Sequence, residues 1–208
     1  MNDNKNYKVS IILPAFNTIN YIRRCLASIP IRDDVEVFMI DDHSTDGTGI
    51  ELLKYSRTNP NAKFIQNKEN IGVARSRNIA YGLCTGEYIT QLDSDDYYFT
   101  DVFNSIIDND LTGDIVYFDL QINNGDIWRC TPKTRYTLMD HVYLVKRDLL
   151  GNHRHPDLPY GSGVELNNAI QKDLDERNGT TVYTHKVAYM YNFPREGSIL
   201  NLKHRGLL

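Results

Sequence analysis

The sequence predicts an α/β protein with a doubly wound, Rossmann-like mixed β-sheet flanked by helices, folded as a single domain. Three observations carry that expectation. Short apolar runs alternate with amphipathic helical stretches four times between residues 9 and 93, the βαβ pattern of a parallel sheet. The runs are almost continuously apolar, as suits strands buried on both faces. Acidic clusters close two of them, Asp41-Asp42 and Asp93-Ser94-Asp95-Asp96. In open α/β sheets, ligands sit at these carboxyl ends of the strands.

The elements follow in order. Val9-Ser10-Ile11-Ile12-Leu13 reads as a buried strand stopped by Pro14. Tyr21, Ile22, Cys25, Leu26 and Ile29 fall on one helical face. Val35 to Ile40 is a second strand running into Asp41-Asp42. Thr45 or Asp46 is expected to cap a helix that turns Ile50, Leu52 and Leu53 inward. Lys63-Phe64-Ile65 is a third strand, a helix spans about Gly72 to Leu83, and Tyr88 to Leu92 is a fourth strand.

The second half is less regular. Phe103, Ile106 and Ile107 mark a helix, and Ile115 to Phe118 a strand. Asn124-Gly125 is a two-residue hairpin signal with Ile127 to Cys130 returning. Val142 to Val145 is a strand and Gly151 to Gly163 a loop. Val164, Asn168, Ile170 and Gln171 open a helix that runs to about Arg177. Val182 to Tyr191 is a late strand, followed by a tail.

Composition excludes some classes. Of 208 residues, 41% are hydrophobic and 24% charged, ordinary for a globular domain. A net charge of −4 argues against bulk nucleic-acid binding. No apolar run is long enough to span a bilayer, and Met1 to Asn6 does not read as a signal peptide. Cys25, Cys84 and Cys130 are odd in number and lack zinc spacing, which points to a reducing cytoplasm. Asn178-Gly179-Thr180 matches a glycosylation acceptor but reads more simply as a helix end.

Asp93-Ser94-Asp95-Asp96 is the strongest chemical signal. Crowded carboxylates repel one another unless a cation neutralises them. Mg²⁺ or Mn²⁺ would do so, and Mg²⁺ typically uses one or two protein carboxylates plus substrate phosphates. An Asp-x-Asp at a strand end therefore suggests a diphosphate held through metal. The competing reading is a turn and the cap of a helix starting near Thr100 or Asp101.

Four segments in order resemble the family 2 glycosyltransferases, which carry a GT-A fold and invert the anomeric centre. They are Val9 to Asn17, Ile40 to Thr48, Asn70 to Asn78, and Gly86 through Asp96. The resemblance is dense over residues 8–97, the nucleotide-sugar-binding half, and thin over 98–208, the acceptor-binding half and tail. It returns at Tyr189-x-Tyr191 and at Arg195 to Ile199. It implies a UDP-sugar donor and an Mn²⁺ or Mg²⁺ cofactor. Pro14 and Phe16 would line the nucleobase pocket, and Asp42 would accept from the uracil N–H. Arg77 would reach the base or phosphates, Asp93 the ribose or a metal-bound water, and Asp95 the metal itself. As structural alternatives, Pro14 ends a strand, Asp42 and Asp46 cap helices, and Arg77 is a solvated helix residue.

The chain departs from the pattern at the catalytic base. The family's Glu-Asp pair falls on Ser162-Gly163, and neither residue is a base at neutral pH. Glu165 is the leading candidate and Asp157 the second, with Glu165 equally explained as a first-turn carboxylate favoured by the helix dipole. His153-Arg154-His155 suits an acceptor contact or plain surface better than a metal site. His204 would reach back over the diphosphate or metal. The expected acceptor is a glycan, a lipid-linked sugar or a protein, with partners or a homo-oligomer completing the site. The expected location is the cytoplasm or the inner membrane face. Two other readings stand: a donor-binding module with weak or no transfer, and a sugar nucleotidyltransferase. The latter usually opens with a Gly-rich basic loop, which Pro14 to Asn17 does not supply.

Overall fold

The computed structural model describes residues 5–132, 142–158 and 162–193. The first half runs β1 (Val9–Ala15), α1 (Ile19–Ser28), β2 (Val35–Asp41), α2 (Thr48–Thr58), β3 (Ala62–Gln66), α3 (Val73–Tyr81) and β4 (Tyr88–Gln91). The second half adds β5 (Tyr97–Tyr98), α4 (Thr100–Asn109), β6 (Ile115–Ile122), β7 (Ile127–Trp128) and β8 (Tyr143–Lys146). It closes with α5 (Arg147–Leu150), α6 (Ser162–Glu176) and β9 (Thr181–Tyr191).

These strands form one sheet in the order β3-β2-β1-β4-β8-β6-β9-β5, with β7 on β6. Strands β1 to β4 pair in parallel. Because β8 runs antiparallel to both β4 and β6, it restores the direction of β6, and β9 pairs in parallel with β6. The carboxyl ends of β1, β2, β3, β4, β6 and β9 therefore share one rim.

Side-chain alternation along buried strands makes two cores. Ile11 and Leu13 face one side with Ile22, Cys25, Leu52, Phe103 and Ile106, from α1, α2 and α4. Ile12 faces the other side with Ala80, Tyr81, Leu149, Leu166 and Ile170, from α3, α5 and α6. On α6 the stripe is Leu166, Ile170 and Leu174, each contributing roughly 1.5–3 kcal/mol on full burial. The helix ends with Asn178 at φ 51° and the Gly179 N–H on the Leu174 carbonyl, 2.8 Å. That is a left-handed C-cap, so Asn178-Gly179-Thr180 is the expected helix end.

Several expectations need correction. Pro14 does not stop β1 but lies within it, opposite Ile40. Its ring removes only a donor directed at β4, whose pairing with β1 ends at Gln91. Of the three α2 residues expected to turn inward only Leu52 does, while Ile50 is 60% exposed and Leu53 also faces solvent. The helix starts at Thr48, later than its capping signals suggested, and at 100° per residue Ile50 lies about 160° around it from Leu52, so the two cannot both face the core. The hairpin loop spans residues 123–125, not two, since the Ile122 N–H bonds to the Asp126 carbonyl. Gly125 supplies the φ of 93° that this longer loop requires. Helix α6 begins at Ser162, two residues before Val164, and both Val164 and Asn168 lie on its exposed side. Residues 194–208, with Arg195 to Ile199 and His204, lie outside the described residues.

Candidate active site

The loops after β1 and β2 interlock at the rim. Asn17 Oδ1 accepts from the Thr45 N–H at 2.9 Å, and the Asn17 N–H donates to Ser44 Oγ at 3.0 Å. Asp46 binds the Ile19 N–H at the start of α1 and the Thr48 N–H at the start of α2, both at 2.9 Å. The N-cap of α2 is Gly47 rather than Thr45 or Asp46, but Asp46 satisfies a first-turn N–H of both helices. Burial pushes its carboxyl up, but bonds from Thr48 and Ile19 outweigh that and hold it below the ordinary value.

Asp42 follows β2 and is 3% exposed. Its Oδ1 accepts from Asn67 Nδ2 at 2.8 Å and from the Ile71 N–H at 2.9 Å, and its Oδ2 accepts from the Gly72 N–H at 2.8 Å. The carboxylate thus fixes the entry to α3. Asn67 also donates to Ser76 Oγ on α3, at 3.0 Å. Neither Asn67 nor Ser76 stands out in the sequence, because an Asn after a short strand resembles any turn residue.

Helix α3 carries Arg77 inward. Arg77 is 7% exposed, not solvated, and its Nη2 donates to Asp93 Oδ1 at 2.6 Å. Asp93 begins the acidic loop after β4. Its carbonyl accepts from the Asp96 N–H at 3.0 Å and lies 3.6 Å from Cys25 Sγ. Arg24 on α1 supports the same loop, donating to the Asp95 carbonyl at 3.1 Å with its guanidinium 4.5 Å from the Tyr97 ring centre. Asp96 is 1% exposed, and its two oxygens accept from Tyr189 Oη and the Asn192 N–H, each at 2.7 Å. Burial, then the charges of Asp95 and Asp93, push its carboxyl well above the ordinary range. Phe16, after β1, is 46% exposed at this rim, while Pro14 is buried.

On the second-half side, Asn167 accepts from the Tyr143 hydroxyl at 2.6 Å. The far end of α6 lies beside Asp114 and Thr180, at the amino end of β6. Helix α6 therefore points its first turn toward the rim, and exposed Glu165 sits on that turn. Asp157 is ion-paired with Arg75 of α3. His155 is buried, which corrects the surface expectation. It stacks on Tyr81 at 5.7 Å, and Asn78 binds its backbone N–H and carbonyl. His153 pairs with Asp173 at 2.7 Å. The two histidines are thus held by different partners. A cavity of about 280 Å³ lined by Pro30, Arg32, Tyr55 and Pro60 opens at the amino ends of β2 and β3, opposite the acidic rim.

Among the described residues, no group of three or more His, Cys, Asp or Glu side chains is arranged to hold a metal. Hard divalent ions need only one or two protein carboxylates, with substrate oxygens completing the shell, and Asp93 and Asp95 would be the carboxylates of the acidic loop to hold one. Among the described residues, no helix is long and apolar enough to cross a membrane.

The Glycosyl transferase family 2 profile matches residues 10–170. The chain belongs to the family 2 glycosyltransferases. An Escherichia coli chondroitin synthase is 40% identical over 179 residues, 80% of this chain and 26% of that protein. A Pasteurella multocida chondroitin synthase is 44% identical over 91 residues, 43% of this chain and 9% of that protein. This family 2 chain thus spans about a quarter or less of those relatives. In fold it is similar to S. aureus TarS solved with UDP-GlcNAc, with TM-score 0.77 at 23% identity over 93% of this chain and 60% of that one. It is also similar to the Pyrobaculum calidifontis mannosyltransferase PcManGT solved with GDP-Man and Mn²⁺, with TM-score 0.68 at 21% identity, covering 93% and 59%. These likenesses identify the GT-A fold.

Proposed function

We propose that this chain is a metal-dependent inverting glycosyltransferase that moves a sugar from a UDP-sugar to an acceptor hydroxyl. The observation that carries the reading is the rim itself. Asp93 and Asp95 close β4 beside Arg77, on the same edge as Asp42 and Phe16. Phe16 offers an exposed ring face to a base, and the backbone beside buried Pro14 a wall. Asp42 shapes the base pocket by fixing the turn at Ile71 and Gly72, with its carboxylate as acceptor for the uracil N–H. Arg77 holds Asp93 in place and puts positive charge near the diphosphate. A divalent ion bound at Asp93 and Asp95 would act as a Lewis acid toward that leaving group.

In the transfer, an acceptor oxygen bonds to the anomeric carbon as the bond from that carbon to the diphosphate oxygen breaks. The acceptor proton passes to a base on the opposite face of the sugar. Glu165 is the base in this reading, because its helix turn points to the rim. Asp157 ranks below it, because Arg75 already holds its carboxylate. The synthase relatives support a growing glycan as acceptor.

Isothermal titration with UDP and Mn²⁺ tests the donor site. Binding is expected for the parent chain, and the gain in UDP affinity that Mn²⁺ gives should be lost in Asp95→Ala. No binding, or binding unchanged by that substitution, refutes the reading. A second reading, donor binding with little transfer, is favoured by Ser162-Gly163 at the start of α6 and by the engagement of Asp157. UDP-sugar turnover that is lost in Glu165→Gln would exclude it.

A further inference from the structure

We propose that Tyr189 and Asp96 are positioning residues through which the last described strand of the acceptor half sets the geometry of the metal-binding loop. The inference rests on the metal–diphosphate reading above. Tyr189 lies in β9, far along the chain from β4, and is fully buried. Its hydroxyl accepts from the Asp93 N–H at 3.2 Å and donates to Asp96 Oδ2 at 2.7 Å. One phenol oxygen therefore bridges the first and last residues of the Asp93–Asp96 turn, with Asp95 between them. The other oxygen of Asp96 accepts from the Asn192 N–H at 2.7 Å, just past the end of β9.

The phenol is held rigidly. The Tyr189 ring meets Tyr98 edge-on with centres 5.6 Å apart, and Tyr98 stacks on Phe103 at 4.0 Å. An aromatic clamp of this kind leaves the hydroxyl little freedom. It therefore fixes the height of the loop relative to the sheet. Asp96 needs both donors, because a carboxyl group buried without partners is strongly disfavoured. The two ties act together: β9 cannot shift without moving Asp93, and the loop cannot shift without leaving Asp96 unsatisfied. Groups that orient metal ligands from behind typically change metal affinity by roughly 10–100-fold when removed.

The test is a Mn²⁺ titration of the whole chain, read by the electron paramagnetic resonance signal of unbound Mn²⁺, with UDP saturating. In Tyr189→Phe, which keeps the ring and its packing, Mn²⁺ affinity should fall about 10-fold or more. UDP affinity measured in EDTA should stay the same, a split that general loosening of the core does not produce. Asp96→Asn, close in size, is the second variant and should show the same split. Two folded variants with parental Mn²⁺ affinity overturn the proposal. So do two variants that both lose cooperative thermal unfolding, since that assigns the pair to stability alone. Asp95→Asn separates the two levels. If it leaves Mn²⁺ binding intact, the metal reading fails. If it abolishes binding while Tyr189→Phe changes nothing, only the positioning role fails.

Discussion

Replacing Asp42 by Asn tests how this rim is built. The carboxylate is almost wholly buried and accepts three hydrogen bonds of 2.8–2.9 Å, two of them from backbone N–H groups at the entry to α3. The best orientation of an Asn keeps its carbonyl on Asn67 and Ile71 and sets its amide against the Gly72 N–H. Two donors then face each other, and leaving such buried groups unsatisfied costs about 1–3 kcal/mol. The two remaining bonds change from charge-assisted to neutral, weakening by about 1 kcal/mol between them. Asp42→Asn should therefore lower stability by about 3 kcal/mol in urea unfolding. UDP affinity should fall too, because α3 carries Arg77 to Asp93. A loss below about 1 kcal/mol with UDP binding unchanged would refute the view that Asp42 organises α3.

Three further outcomes are expected. A Cβ on Gly86 would lie 2.6 Å from the Ser10 N and 2.8 Å from the Val9 carbonyl carbon. Gly86→Ala should therefore force β4 from β1 and cost about 2 kcal/mol or more, with a lower thermal midpoint as the measurement. Asp114 accepts from the Thr180 N–H at 2.7 Å and pairs with Lys146 at 3.3 Å. The Thr180 backbone bond, ahead of the opposing effect of burial, holds its carboxyl below the ordinary value. A lowered acid pKa adds stability that is complete above an unfolded value of about 3.9 and fades as pH falls through the folded value. Asp114→Asn should thus cost about 1 kcal/mol at neutral pH, and the gap from the parent should close in acid. Finally, Glu165→Gln should lower kcat of UDP-sugar turnover by roughly 10²–10⁴-fold with KM little changed. Asp157→Asn should have a much smaller effect, and the reverse order would move the base to Asp157.

By itself the sequence determined the layered α/β architecture, the order of the first four strands, and the placing of both acidic clusters at strand ends. These follow from periodicity and from residue types whose behaviour is local. Buried parallel strands are apolar throughout, and Asp, Gly and Asn mark the ends. The tertiary structure alone decided which partners the polar side chains met. It placed Arg77 on Asp93 rather than in solvent, buried His155 against Tyr81, and engaged Asp157 with Arg75. It also decided facing where the signal was weak, turning Ile50 and Val164 outward. The tie from Tyr189 to Asp93 and Asp96 spans more than ninety residues of sequence. No local pattern specifies such a contact, because it exists only once β6 and β9 have placed the second half of the sheet beside the first.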